Sequence, residues 1–180
     1  MTPYIGQILL NLAGLLAFLP LIVKAKWGTL KKYYIGQALC ITLAFGWLIY
    51  AHVISDFSLI NVISHSHTQK PWLYKIAGTW GNHEGSMLLW VTLLIVFGLK
   101  CLKDQSQAGV TRLILHSGLN LLFIVFLLLV CDPFETAVNP PLEGLDLNPL
   151  LQDPLLAIHP PFLYAGYVGF VVPFIYVLST

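Results

Sequence analysis

Charge is what this sequence has least of. Charged residues are 9% of its 180 positions, against roughly a quarter in ordinary soluble domains. Hydrophobic residues are 57% of the chain, and the mean hydropathy is +0.79. Too little polar side chain remains to cover a water-facing surface, which excludes a soluble enzyme, a nucleic-acid binder and a disordered tail. A formal net charge of +1 also leaves no broad field to attract an acidic or basic partner. Cysteine is scarce too. Cys40, Cys101 and Cys131 form no CxxC pair and no even framework, so neither a zinc site nor a disulfide scaffold is indicated. Arginine is represented only by Arg112, beside eight lysines, a bias that fits an AT-rich genome such as a mitochondrial or intracellular bacterial one. What is present in abundance is apolar run.

Five stretches are long enough, or nearly so, to cross a hydrocarbon core that needs about 20 helical residues. They fall at about 4–23, 33–54, 86–102, 110–131 and 160–178. The expected fold is an all-α integral membrane protein, one membrane domain over 1–180, with five transmembrane helices and two long outward-facing loops. The first run is no signal peptide, because it lacks a basic n-region and a small-residue cleavage site. The third is the shortest, with an alternative earlier start around Trp80. The 24–32 and 100–112 connections hold Lys24, Lys26, Lys31, Lys32, Lys100, Lys103 and Arg112, seven of the nine basic residues. The positive-inside rule assigns that side to the cytoplasm or matrix. The other side, 55–85 and 132–159, holds seven of the eight acidic residues. Met1 is therefore expected outside and Thr180 inside. The prolines of 132–159 predict an ordered loop despite its length.

No ionisable residue falls near the middle of an expected span, with His116 read as lying toward an inner end. Proton relays generally need such groups, so a transporter is disfavoured. Asn11 and Asn120 are expected to bond across helices. The remaining histidines, His52, His65, His67, His83 and His159, lie toward the outer side. His65-Ser66-His67 has no third ligand nearby and reads as loop. His83-Glu84 are adjacent and do not face one another on a helix, so the 80–90 run reads as packing, with Ser86 or Glu84 capping the third span. His159 precedes Pro160-Pro161, which are expected to start the fifth helix and hold the imidazole at the outer interface. Two readings stay open on these residues: a metal or haem ligand, or a histidine that merely caps the helix among the headgroups.

The run Trp80-Gly-Asn-His-Glu-Gly-Ser-Met-Leu-Leu-Trp90, then Pro141-Leu-Glu-Gly-Leu-Asp-Leu-Asn-Pro-Leu-Leu-Gln-Asp-Pro154 and Ile158-His-Pro-Pro-Phe-Leu-Tyr-Ala-Gly-Tyr-Val-Gly-Phe170, closely resembles the CcmF family. That family is the haem lyase component of system I cytochrome c maturation. The resemblance covers nearly the whole chain in order, span spacing included. It implies a protein that receives haem from a haem chaperone and presents it to apocytochrome c, for thioether attachment to the reduced cysteines of CXXCH. By position, His159 matches the first of the family's two outward haem-ligating histidines. It is the single haem-iron ligand the resemblance carries over, and no catalytic side chain is assigned.

The family's tryptophan-rich segment, its second outward haem histidine and the histidines of its transmembrane b-type haem have no match here. The resemblance therefore implies the N-terminal portion of a larger or split lyase, not active alone. Its expected partners are the remaining C-terminal part, the haem chaperone, apocytochrome c with its thiol-reducing proteins, and lipid, but no nucleic acid. The expected location is a bacterial or mitochondrial inner membrane. The competing reading is a membrane scaffold or respiratory-complex subunit with no haem ligation of its own.

Overall fold

A computed structural model describes residues 2–179. Five helical spans are long and apolar enough to cross a membrane. They are α1 (Thr2–Ile22), α2 (Trp27–Ile54), α5 (His83–Gly98), α6 (Gln107–Leu129) and a fifth built from α7 (Pro154–Gly169) and α8 (Val171–Leu178). A 3-10 turn, Leu99–Lys103, extends α5. Two short helices, α3 (Ile60–His65) and α4 (Trp72–Gly78), lie in the first long loop. The chain is a multi-pass, all-α membrane protein. The expected sidedness of Met1 and Thr180 falls on termini outside the described residues.

The core is a bundle of α1, α2, α5 and α6. Small residues let the backbones approach: Ala13 and Ala17 on α1 meet Ala44 and Ala51 on α2 in one fully buried cluster with Leu88, Val91 and Ile124. Packing of this kind, rather than exclusion from water, holds helices together in lipid. The two lysine-rich connections share one end of the bundle, where Leu30 and Tyr34 pack with Cys101 and Leu113. The end of α8 reaches the same level, since Arg112 Nε donates to Ser179 Oγ at 2.8 Å and its guanidinium sits over the Tyr176 ring.

At the opposite end the two long loops are joined by hydrogen bonds. Ile60 N–H donates to Glu135 O, and Ala137 N–H to Ser58 O, around a bridge between Leu59 and Thr136. Leu145 N–H donates to Ile63 O and Asp146 N–H to Ser66 O. Lys70 pairs with Asp146 at 2.7 Å, and Glu143 accepts from the Thr68 amide at 3.0 Å and its hydroxyl at 2.6 Å. A side chain at Gly144 would run into Ser66 O, so only glycine lets the strands of loop meet here. The second loop is tied down at two places, around 135–137 and 143–146.

Three expectations need correction. The fifth helix starts at Pro154, not Pro160. Asp153 caps it, accepting from Leu155 N at 2.8 Å and Leu156 N at 3.1 Å, with Pro154 in the first turn. Asp-Pro is the stronger start signal, because it supplies both an acceptor for the free amides and a preset φ. Second, α6 begins at Gln107, which puts His116 two residues from its midpoint rather than near its end. It is fully buried, with Nδ1 3.3 Å from the Tyr34 hydroxyl. Third, Asn11 does not cross between helices. Its amide donates to Gln7 O in its own helix at 2.8 Å, whereas Asn120 does reach Gln37 on α2, at 3.4 Å.

Candidate functional site

The two runs singled out in the sequence meet in space. Asn82, not Ser86 or Glu84, caps α5: its Oδ1 accepts from Gly85 N at 2.6 Å. The same amide exchanges hydrogen bonds with Asn61 at 2.8 and 3.1 Å, and its nitrogen also donates to Gly78 O at 2.7 Å. Asn61 in turn lies 2.8 Å from Nε2 of His52, which is fully buried. One network thus pins the last turns of α2, the loop helix α3 and the start of α5. Gly85 is required there, since a Cβ would overlap the Thr79 carbonyl.

Trp80 links this rigid corner to α7. Pro161 has no N–H to give the carbonyl four residues back, Ala157 O. The Trp80 indole N–H donates to that carbonyl at 2.8 Å, while its ring stacks 6.5 Å from Phe45. Pro161 is therefore tolerated inside α7 because the neighbouring motif supplies the missing donor. Further along, Trp90 packs edge-on against Tyr164, with centroids 5.6 Å apart. Between them runs an open groove of about 390 Å³ bordered by Trp80, Asn82, His83, Ser86, Pro160 and Tyr164.

His159 lies in the second turn of α7, toward the end of the bundle that carries the two long loops, and is exposed. Its helical neighbours at four and three residues either way are Leu155, Leu156, Phe162 and Leu163, exposed to 74%, 47%, 75% and 43%. Its imidazole makes no hydrogen bond or ion pair among the described residues. The geometry is a single nitrogen donor at the centre of an apolar patch. An apolar patch with a lone imidazole at its centre has the character of a surface that could receive a flat, mainly apolar ligand carrying a metal.

The other histidines are distributed elsewhere. His65 Nδ1 turns to Asn61 O at 3.1 Å, and His67 lies 4.0 Å from Glu143. His83 borders the groove, and His116 is inside the bundle. Sequence reasoning missed Trp80 and Asn82 as the residues that hold this corner. Asn82 was findable, since an asparagine directly ahead of a helix is a capping signal. The bond from Trp80 joins residues 77 positions apart and has no local signature.

Residues 80–180 match the model of the cytochrome c assembly protein family, and the chain belongs to that family. It is 45% identical over 149 residues to cytochrome c-type biogenesis protein CycK of Bradyrhizobium diazoefficiens, covering 81% of this chain and 23% of that protein. It is 40% identical to cytochrome c-type biogenesis protein CcmF of Escherichia coli, covering all of this chain and 30% of that one. Among solved structures it resembles a cytochrome c haem lyase, CcmF, with a TM-score of 0.74 at 24% identity, over 99% of this chain and 29% of the other, which speaks for the fold. The chain spans about a quarter of the length of these relatives. The relatives named are bacterial proteins.

Proposed function

We propose that this chain is the N-terminal portion of a membrane haem lyase, and that it holds haem for transfer to apocytochrome c. The observation that carries the reading is the bare imidazole of His159, centred in an apolar patch on a rigidly mounted helix. Haem here is cargo. The patch binds one face of the macrocycle, and His159 ligates the iron from that side. The second axial donor comes from the part of the lyase this chain does not contain. The longer relatives, of which this chain spans about a quarter, support that division.

In this reading the end of the bundle that carries the two long loops faces outward, to the periplasm or intermembrane space, and the lysine-rich end faces inward. A haem chaperone delivers at the α7 patch, and apocytochrome c, with cysteines kept reduced by its thiol-reducing partners, collects there. The remaining part of the lyase closes over α7.

The test is to co-express the chain with the complementary part of the lyase and purify the pair. The unsubstituted pair should show a bound-haem absorption band and support c-type cytochrome production. His159→Ala should lose the band more than tenfold while the helices stay inserted, and added imidazole should restore part of it by filling the vacant iron position. A normal haem spectrum and normal cytochrome yield from His159→Ala would defeat the ligand assignment and leave a scaffold role.

A further inference from the structure

At the lysine-rich end, the last turn of α1, the 23–26 connection and the first turns of α2 and α6 enclose an open groove of about 650 Å³. Its floor is apolar, formed by Leu21, Leu30, Val110 and Ile114, and its rim carries Lys24 and Lys26. Both lysines are exposed, as are Lys31 and Lys32 one turn further on. None of the four joins an ion pair among the described residues, whose pairs are His67–Glu143, Lys70–Asp146 and Arg112–Asp104. The nearby acid, Asp104, is thus already taken by Arg112. The start of α2 adds to this: it has no acidic residue in its first turn and no side chain capping it at Lys26. The positive end of a 28-residue helix is left uncovered beside the groove.

Position decides what chemistry fits. The floor belongs to membrane-spanning helices, so it lies below headgroup level, while the lysines sit at the ends of those helices. An occupant must carry an anion above and hydrocarbon below. Free phosphate would leave the apolar floor empty. A zwitterionic lipid would fill the floor but offer the lysines no net charge. We propose that this groove binds one anionic diacyl phospholipid, its phosphate on Lys24, Lys26 and the start of α2, and an acyl chain along Leu21, Val110 and Ile114. Basic residues at a membrane surface draw anionic lipid in preference to zwitterionic lipid.

The proposal is independent of haem. The chain, purified in detergent, is titrated with phosphatidylglycerol and phosphatidylcholine of identical chains, and retained lipid is read by native mass spectrometry. Phosphatidylglycerol should be retained about tenfold more than phosphatidylcholine. Lys24→Gln with Lys26→Gln should reduce it to the phosphatidylcholine level. Leu21→Trp, which obstructs the floor and leaves the lysines intact, should also lower retention several-fold. Lys75→Gln, at the other end of the bundle, should change nothing. Equal retention of the two lipids would overturn the proposal, as would an equal loss in Lys75→Gln. Displacement by soluble glycerophosphate, or full retention in Leu21→Trp, would show a headgroup-only contact and overturn it as well.

Discussion

The four-helix bundle and the fifth span are made from equally apolar sequence but finished to different degrees. In the first four spans, 33 to 50% of residues are buried within the chain; in the fifth, 11% are. The polar groups follow the same division. His52 is enclosed and hydrogen-bonded, while His159 stands bare among leucines and a phenylalanine. A buried histidine with partners is there to hold structure, and an exposed one with none is available to a ligand. Membrane helices with similar hydropathy can therefore serve as scaffold or as docking surface, and burial with partner count tells them apart.

The sharpest way to break that comparison is to place the same substitution on each side. Gly85→Val puts a side chain onto the Thr79 carbonyl inside the capped corner, whereas Gly166 on α7 has open space around it. Overpacking against backbone should cost about 3 kcal/mol or more, and Gly166→Val should cost close to nothing in stability. Thermal unfolding in detergent reads both. Equal melting temperatures would show the corner is not rigid.

The two histidines give the next contrast. His52→Ala strands the Asn61–Asn82 pair at a buried site and should destabilise by about 2–3 kcal/mol. His159→Ala should leave the melting curve in place and change only haem retention. A stability loss in His159→Ala would mean its imidazole has a structural partner.

How far the sequence reveals this division depends on distance along the chain. The C-terminal ends of the spans were legible to within two residues, because a polar or proline-containing break ends each apolar run. The starts were expected two to six residues late. Helices begin in polar or glycine-containing turns, such as Trp27-Gly28-Thr29 and His83-Glu84-Gly85, that hydropathy does not register. His159 is legible as unusual, but its mount is not, since the start signal lies six residues earlier at Asp153-Pro154. The partnership of Trp80 with Ala157, and of His52 with Asn61 and Asn82, arises only on folding. So does the depth of His116, because α6 starts three residues ahead of the apolar run.

Trp80 joins the two regions, so weakening it should produce an intermediate effect on both. Trp80→Phe keeps a ring against Phe45 but removes the donor to Ala157 O, a carbonyl of a residue 1% exposed. One unmet buried acceptor should cost about 1–2 kcal/mol. Because the carbonyl lies two residues before His159, haem retention should also fall, by less than in His159→Ala. A variant that loses stability and keeps full retention would separate the mount from the ligand.

The smallest expected effect concerns two acids in the second long loop with opposite leanings. The Thr68 hydroxyl and amide hold Glu143 below its ordinary value of 4.5, with His67 adding to the effect. A depressed carboxylate contributes stability that is present above that ordinary value and lost as pH falls through the lower folded value. Asp132 is the reverse. Burial raises it above 3.8, although its Oδ1 accepts from Phe134 N at 2.9 Å. Its contribution is present at low pH and lost as pH rises through the raised folded value. Protection of the Thr68 amide from hydrogen exchange, corrected for the intrinsic rate, should therefore fall on acidification below 4.5. Glu143→Gln should flatten that dependence, since an amide does not titrate and has one acceptor oxygen where the carboxylate uses two for Thr68, and should lower protection only modestly because the site is solvent-exposed. Asp132→Asn should leave the Thr68 profile alone and remove the opposite trend near Phe134. An acid-insensitive Thr68 amide in the unsubstituted chain would mean that the Glu143 contact does not fasten the two loops.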